Sequence, residues 1–285
     1  MSKQLRIFLD TIKFEHTIFA LPFAYLGMVL AVRGWPTWEQ GLWITVAMAA
    51  ARTTAMSVNR VVDAEIDARN PRTAGRAIPA GLIQGRTVWA LALLSIVLFL
   101  VAAAQLNRFV LQLAPLALVG LVGYSYTKRF TWLCHWILGL IDGAAAAGGW
   151  AAITGSLASP VPWFLWLAVT TWIAGFDLIY ACQDVAVDRA EGLHSIPARF
   201  GIALALLLAA LNHIVTGLAL AGVGVVMGLG WPYWLGWLLA IGLLVYEHRL
   251  VSPHDLSKVN VAFFNVNSYI SIIVFVGTVL GIYTA

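Results

Sequence analysis

The chain has 285 residues, of which 61% are hydrophobic and only 11% charged, whereas about a quarter of an ordinary soluble domain is charged. This balance excludes an ordinary soluble fold; at about 20 apolar residues per bilayer crossing the length holds at most about ten helices, so residues 1–285 read as a single transmembrane domain. The net charge of +4 by itself says nothing about nucleic acid, because membrane topology alone places Lys and Arg in excess in the loops, and no nucleic-acid partner is expected.

The first sixteen residues are amphipathic and charged (Lys3, Arg6, Asp10, Lys13, Glu15) and lack a signal-peptide pattern, so the first apolar run is expected to be a retained helix. Nine apolar runs follow, near 16–33, 39–58, 87–106, 108–126, 132–153, 160–182, 201–227, 229–246 and 262–284. Trp35, Trp38, Trp132, Trp163, Trp231 and Trp234 mark their ends, as an interfacial belt requires. Pro22 and Pro115 interrupt two runs, which neighbouring helices tolerate. Cys134 and Cys182 lie inside or beside apolar stretches and read as buried apolar thiols. Positive charges gather before the first run and around every second loop, with only Arg33 and Arg108 opposite. The positive-inside rule then places the N-terminus in the cytoplasm and the C-terminus outside. The expected fold is an all-α integral membrane protein, nine transmembrane helices around a central cavity open to the cytoplasmic side.

Two long cytoplasmic connections carry the chemistry-bearing residues. At the end of the second run Asn59, Asp63 and Asp67 recur every four residues, which keeps them on one helical face. Three oxygen ligands at the water edge of an apolar helix suit Mg²⁺, a hard cation that shares its shell with phosphates. The sixth run ends with Asp177, Asp184 and Asp188, again on one face, with Asp177 deeper in the apolar helix where an ionisable group points to function. Without metal these carboxylates are expected to repel one another. Arg69, Arg72 and Arg76 follow the first cluster, Lys128 and Arg129 the fourth run, and Arg199 the second cluster; all suit phosphate oxygens. Arg52, two turns before Asn59, is expected to be paired or to face substrate, and Asp142 is one conceivable partner.

The pattern N-x-x-x-D-x-x-x-D followed by R-T-x-x-R-x-x-P-x-G at 72–81 resembles the first signature of the UbiA-type intramembrane prenyltransferases. D-x-x-Y-A-x-x-D-x-x-x-D, then Gly192, Ser195 and Phe200-Gly201, resembles the second, and residues 124–128 resemble the family's tyrosine and lysine after the fourth helix. Departures are Arg60, where many members have Asp, and His194, where they have Lys. The resemblance implies Mg²⁺-dependent transfer of a polyprenyl group from a polyprenyl diphosphate to a hydroxylated aromatic acid, in the inner (cytoplasmic) membrane, for respiratory quinone biosynthesis. Asn59, Asp63, Asp67, Asp184 and Asp188 would hold metal; Arg72, Arg76, Tyr124, Lys128 and Arg199 would bind substrate. Asp177, Tyr180 and Arg52 would act at the reacting centre.

The expected acceptor is 4-hydroxybenzoate. A dihydroxynaphthoate is the alternative, because Glu15-His16 resembles relatives in menaquinone-making bacteria. A cation-coupled transporter is the reading of another class, but such sites sit near the midplane between repeats. CDP-alcohol phosphotransfer needs a motif that Asp142-Gly143 does not continue.

Overall fold

In a computed structural model the described residues, 3–12 and 17–285, form thirteen α-helices and no strand, with side chains described for 7–12 and 21–285. Lys13, Glu15 and His16, and the side chains of Lys3 and Arg6, lie outside the described residues.

Nine helices among the described residues exceed fifteen residues: α2 (Thr17–Val32), α3 (Trp38–Val62), α5 (Gly85–Leu106), α6 (Arg108–Thr127), α7 (Cys134–Thr154), α8 (Val161–Ala181), α11 (Ile202–Met227), α12 (Trp231–Arg249) and α13 (Asn267–Ile282). The nine apolar runs coincide with them, the ends shifting by a few residues. Four short helices complete the set: α1 (Lys3–Thr11), α4 (Ala64–Arg69), α9 (Val185–Ala190) and α10 (Ile196–Phe200). Among the described residues, six segments are long and apolar enough to cross a membrane. The others fall short for visible reasons: α2 has only sixteen residues, α3 carries Glu39, Arg52, Asn59 and Arg60, and α12 is crowded with Trp and Tyr and closes on Glu247, His248 and Arg249.

Local signals explain several boundaries. Thr37 caps α3 through a reciprocal box with Gln40. Asn107 caps α6 by accepting from the Val110 N–H, and its amide also donates to the Ala151 and Ala152 carbonyls at the end of α7. Gly155 and Gly228 end α7 and α11 in left-handed conformation.

Helix α7 lies between α2 and α8 and approaches both closely. A Cβ on Gly139 would collide with the Thr170 carbonyl of α8, and one on Gly149 with the Ala24 carbonyl of α2. Small residues permit this approach where lipid supplies no hydrophobic drive between helices. The main core gathers Leu26, Leu30, Leu165, Trp172, Leu220, Tyr233 and Ile270. Leu93, Leu94 and Val97 of α5, and Leu207 and Leu218 of α11, are exposed on outward faces, as bilayer-facing helices present them. Gly148, next to Gly149, has open space around it. Gly149→Ala should therefore lower the melting temperature of the purified protein by about 5 °C or more through overpacking. Gly148→Ala should leave it unchanged or raise it slightly, since Ala is the better helix former; equal effects in thermal scans would contradict the close α2–α7 contact.

Candidate functional site

The two acidic segments share one local design. In each, a long helix stops, an Asp adopts a bridge conformation, and a six-residue helix follows with a second Asp at its fourth position. Asp63 (φ −91°, ψ 1°) separates α3 from α4, and Asp184 (φ −100°, ψ 6°) precedes α9. The fourth residues are Asp67 and Asp188, both buried. Asp63 accordingly sits at a helix junction rather than within one continuous helix, although N–H bonds from Asp63 to Asn59 (2.9 Å) and from Asp67 to Asp63 (2.8 Å) preserve the four-residue relation. The single face expected for Asp177, Asp184 and Asp188 is interrupted, because Cys182–Asp184 is a 3₁₀ turn that winds three residues per turn.

Basic and polar side chains answer the carboxylates one by one. Asp63 lies 3.1 Å from Lys128 Nζ and 2.9 Å from Arg129 Nη2, and the Asn59 amide donates to it at 2.9 Å. Arg76 donates to both oxygens of Asp67 at 2.7 and 2.6 Å. Arg72 grips Asp184 through Nε (3.0 Å) and Nη2 (2.6 Å), and Asn70 adds a bond of 3.1 Å. The Ser195 hydroxyl donates to Asp188 at 2.6 Å, and His135 Nδ1 lies 2.6 Å from Asp177 Oδ2. The mutual repulsion expected of five bare carboxylates is thus met by ion pairs at Asp63, Asp67 and Asp184 and by hydrogen bonds at Asp177 and Asp188. Arg72 also donates to the Tyr180 hydroxyl (2.8 Å) and lies 5.1 Å over its ring. Burial works against the Arg72 charge, but Asp184 outweighs it and holds the guanidinium pKa above its ordinary value. Arg69 and Glu191 join the two loops by a bidentate pair at 2.7 and 2.6 Å, and that bond keeps the Glu191 carboxyl below the usual range.

One cavity collects the products of this folding. Asn59, Tyr124 and Lys128 line one side; Asp177, Tyr180, Asp184 and Asp188 line the other; Cys134, His135 and Ser195 are also among the lining residues. Segments more than a hundred residues apart in sequence therefore meet around one space. Asp63, Asp67, Arg72 and Arg76 stand behind this lining, each joined to it or to its neighbours by the bonds above. Arg199, on α10, is exposed and outside the lining. Arg52 lies deeper in α3; its Nε is buried without a hydrogen-bond partner among the described residues. Asp142 is within electrostatic reach of it, yet no direct ion pair joins them among the described residues.

Three contacts escape the spacing argument. His135 sits in an apolar run without a motif, and its signal was only that an imidazole there is costly. Arg129, expected from sequence to suit phosphate oxygens, binds Asp63. Cys134 is half-buried at the cavity and donates to the His194 carbonyl at 3.3 Å, unlike the core thiol Cys182. The departure Arg60 has its own role. Buried in α3, it donates to the Thr11 carbonyl of α1 at 3.0 Å.

The profile of the UbiA prenyltransferase family matches residues 20–269. The chain belongs to this family. Membership makes it a prenyltransferase, and its apolar helices make it a multi-pass membrane protein. It is 33% identical over 253 residues to the 4-hydroxybenzoate octaprenyltransferase of Aeromonas salmonicida, covering 88% of this chain and 86% of that one. Its identity to the enzyme of the same name from Vibrio parahaemolyticus is 28% over 251 residues, covering 88% and 87%. A UbiA homolog from Aeropyrum pernix K1 in its apo form superposes with a TM-score of 0.84 at 34% identity, covering 92% of this chain and 96% of that one. A UbiA homolog from Archaeoglobus fulgidus, bound to GPP and Mg²⁺, shares the fold with a TM-score of 0.69 at 17% identity, covering 94% and 99%.

The ion pairs differ in burial, and so should the effect of breaking them. The Asp63 side chain is 3% exposed between two cations, whereas Arg69 in the Arg69–Glu191 pair is 54% exposed. Asp63→Ala should lower the melting temperature by several degrees, while Glu191→Ala should shift it by about 1 °C or less. Differential scanning fluorimetry of both variants checks the order.

Proposed function

We propose that the protein transfers a polyprenyl group from a polyprenyl diphosphate to the ring of a hydroxylated aromatic acid, with 4-hydroxybenzoate as acceptor, in respiratory quinone biosynthesis. The observation that carries this reading is the convergence of Asn59, Lys128, Asp177, Tyr180, Asp184 and Asp188 on one cavity at the end of an apolar bundle. The names of the bacterial relatives support the acceptor. The clustering of acids beside phosphate-type bases speaks against a transporter, whose sites sit near the midplane.

The donor set fits Mg²⁺. Asn59, Asp63, Asp67, Asp184 and Asp188 offer hard oxygens, and this cation needs only one or two protein carboxylates when phosphates and waters complete its shell. No cluster of three acids is therefore required, and none occurs among the described residues. When bound, Mg²⁺ supplies positive charge against the diphosphate leaving group.

The chain's own residues do the rest. Arg72, Arg76 and Lys128 now neutralise Asp184, Asp67 and Asp63; by exchanging partners they reach the phosphate oxygens and free the carboxylates at the same moment. The Tyr124 hydroxyl, which donates to the Ala55 carbonyl at 3.1 Å, borders the same space beside Lys128, and Arg199 meets the diphosphate only at the rim. As the allylic carbon–oxygen bond breaks, the Asp177 carboxylate and the Tyr180 ring face the cation. The diphosphate leaves with the bonding electron pair, the ring carbon of the acceptor bonds to the allylic carbon, and the ring proton passes to a base of the cavity, a role open to the Asp177 carboxylate. Arg52, with an unsatisfied buried donor, suits the acceptor's carboxylate. The apolar helices hold the isoprenoid tail and keep water from the cation.

In this reading nine helices cross the inner membrane, with the N-terminus and the cavity mouth cytoplasmic; cysteine labelling that placed position 67 or 188 outside would overturn the orientation. Purified protein given Mg²⁺, a polyprenyl diphosphate and 4-hydroxybenzoate should release pyrophosphate and prenylate the ring, and EDTA should stop it reversibly. A parallel arm with a dihydroxynaphthoate decides between the two acceptors. Alanine at Asp63, Asp67, Asp184 or Asp188 should cut turnover by about 100-fold or more, and normal turnover in any two of these variants would contradict the metal assignment. Arg52→Gln should raise the Michaelis constant for the acid by about 10-fold and leave that for the diphosphate unchanged.

A further inference from the structure

Among the described residues, Asp177 is the one carboxylate of the cavity that is answered by an imidazole. Its side chain is 26% exposed toward the cavity, whereas that of His135 is 3% exposed behind it. The Ile196 N–H points at the other ring nitrogen of His135, Nε2, at 3.3 Å. A backbone N–H can only donate, so Nε2 must present its lone pair and the ring proton resides on Nδ1. His135 is thus a neutral donor aimed at Asp177 Oδ2 at 2.6 Å, leaving Oδ1 for the cavity.

The segment that fixes this tautomer also holds the other end of the site. His194 N–H donates to the Lys128 carbonyl at 2.6 Å, and the Ser195 hydroxyl donates to Asp188 at 2.6 Å. Three consecutive residues therefore tie together a base, a carboxylate and the imidazole. We propose that His135 is the positioning residue of the reacting centre, orienting Asp177 as an anion toward the developing allylic cation, with its own ring locked by the Ile196 amide. This rests on the prenyl-transfer reading and deepens it.

Two substitutions separate the two faces of the ring. His135→Asn keeps an amide donor near the place of Nδ1, so the bond to Asp177 survives. His135→Gln places its amide near Nε2, where its carbonyl accepts from Ile196 while the bond to Asp177 is lost. H135N should stay within about threefold of wild-type kcat, and H135Q should lose about 10- to 100-fold, the effect of one charge-assisted hydrogen bond. Both Michaelis constants should move less than about twofold in H135Q, because the orientation matters only as charge develops. In an Asp177→Asn background H135Q should cost less than about twofold further, since the residue acts through Asp177. Melting curves and binding of a non-hydrolysable prenyl diphosphate analogue report folding. If H135Q does not fold, His135→Ala with added imidazole replaces it, and rescue should occur while Asp177 is intact and fail once Asp177→Asn is added. Equal loss in H135N and H135Q, additivity with D177N, or a change confined to the Michaelis constants would overturn the proposal. A wild type that makes no prenylated product would instead overturn the reading beneath it, a result distinct from any difference between variants.

Discussion

Charge in an apolar bundle must be answered locally, and the cavity end of this protein is organised around that requirement. Two like charges 4 Å apart repel by about 4 kcal/mol at an effective dielectric near 20, and carboxylates near lipid cannot rely on water to relieve it. The structure meets the constraint by pairing rather than by dispersal: Lys128 and Arg129 on Asp63, Arg76 on Asp67, Arg72 on Asp184, Ser195 on Asp188, His135 on Asp177. Most of these bonds run between different segments of the chain, so the electrostatic solution is also the scaffold that holds the two loops over the cavity. Under the proposed chemistry the same bases serve a second anion, and partner exchange keeps the site near neutrality at each stage.

The repeated turn geometry follows from this demand. A continuous helix would project Asp63 and Asp67, or Asp184 and Asp188, along one line about 6 Å apart at 1.5 Å per residue. A break at the first Asp of each pair lets the short helix after it turn, so that the second Asp is buried against its own loop. Asp67 accordingly meets Arg76, while the Thr73 hydroxyl donates to its carbonyl at 3.0 Å, and Asp188 meets Ser195. The exposed Arg69–Glu191 pair then joins the ends of the two short helices.

Much of this plan was legible in the chain. Apolar runs delimit the long helices because length and hydropathy act locally, and the four-residue Asp spacing marked the two segments that converge. The junctions at Asp63 and Asp184 were not legible, since both residues are compatible with helix and their conformation is set by partners remote in sequence. His135 escaped, and Arg129 was placed among the phosphate bases rather than on Asp63, for a related reason: their value lies in what they touch, Asp177 and Asp63, and no short-range pattern encodes it. Arg52 shows the converse case, a residue whose cost in an apolar helix was visible from sequence and whose buried Nε remains without a protein partner among the described residues.

Tyr180 of the cavity lining is backed by a second polar network that spacing also concealed. Residues Val261–Val266 form a π-helical turn, a geometry that displaces carbonyls from their usual helical donors. The Asn267 amide answers two of them, donating to the Ala262 and Phe263 carbonyls at 3.1 Å, and also donates to Glu247. Its own oxygen accepts from the Trp172 indole at 2.7 Å, which fastens the turn to α8. Held in this way, Phe263 packs on the Tyr180 ring at 4.2 Å, and Tyr180 in turn presents its hydroxyl to Arg72 and its ring beneath the guanidinium. The chain of contacts runs from a buried amide to the base on Asp184. The irregular turn that precedes α13 thus sets Phe263 against Tyr180, and through that ring it supports a wall of the cavity.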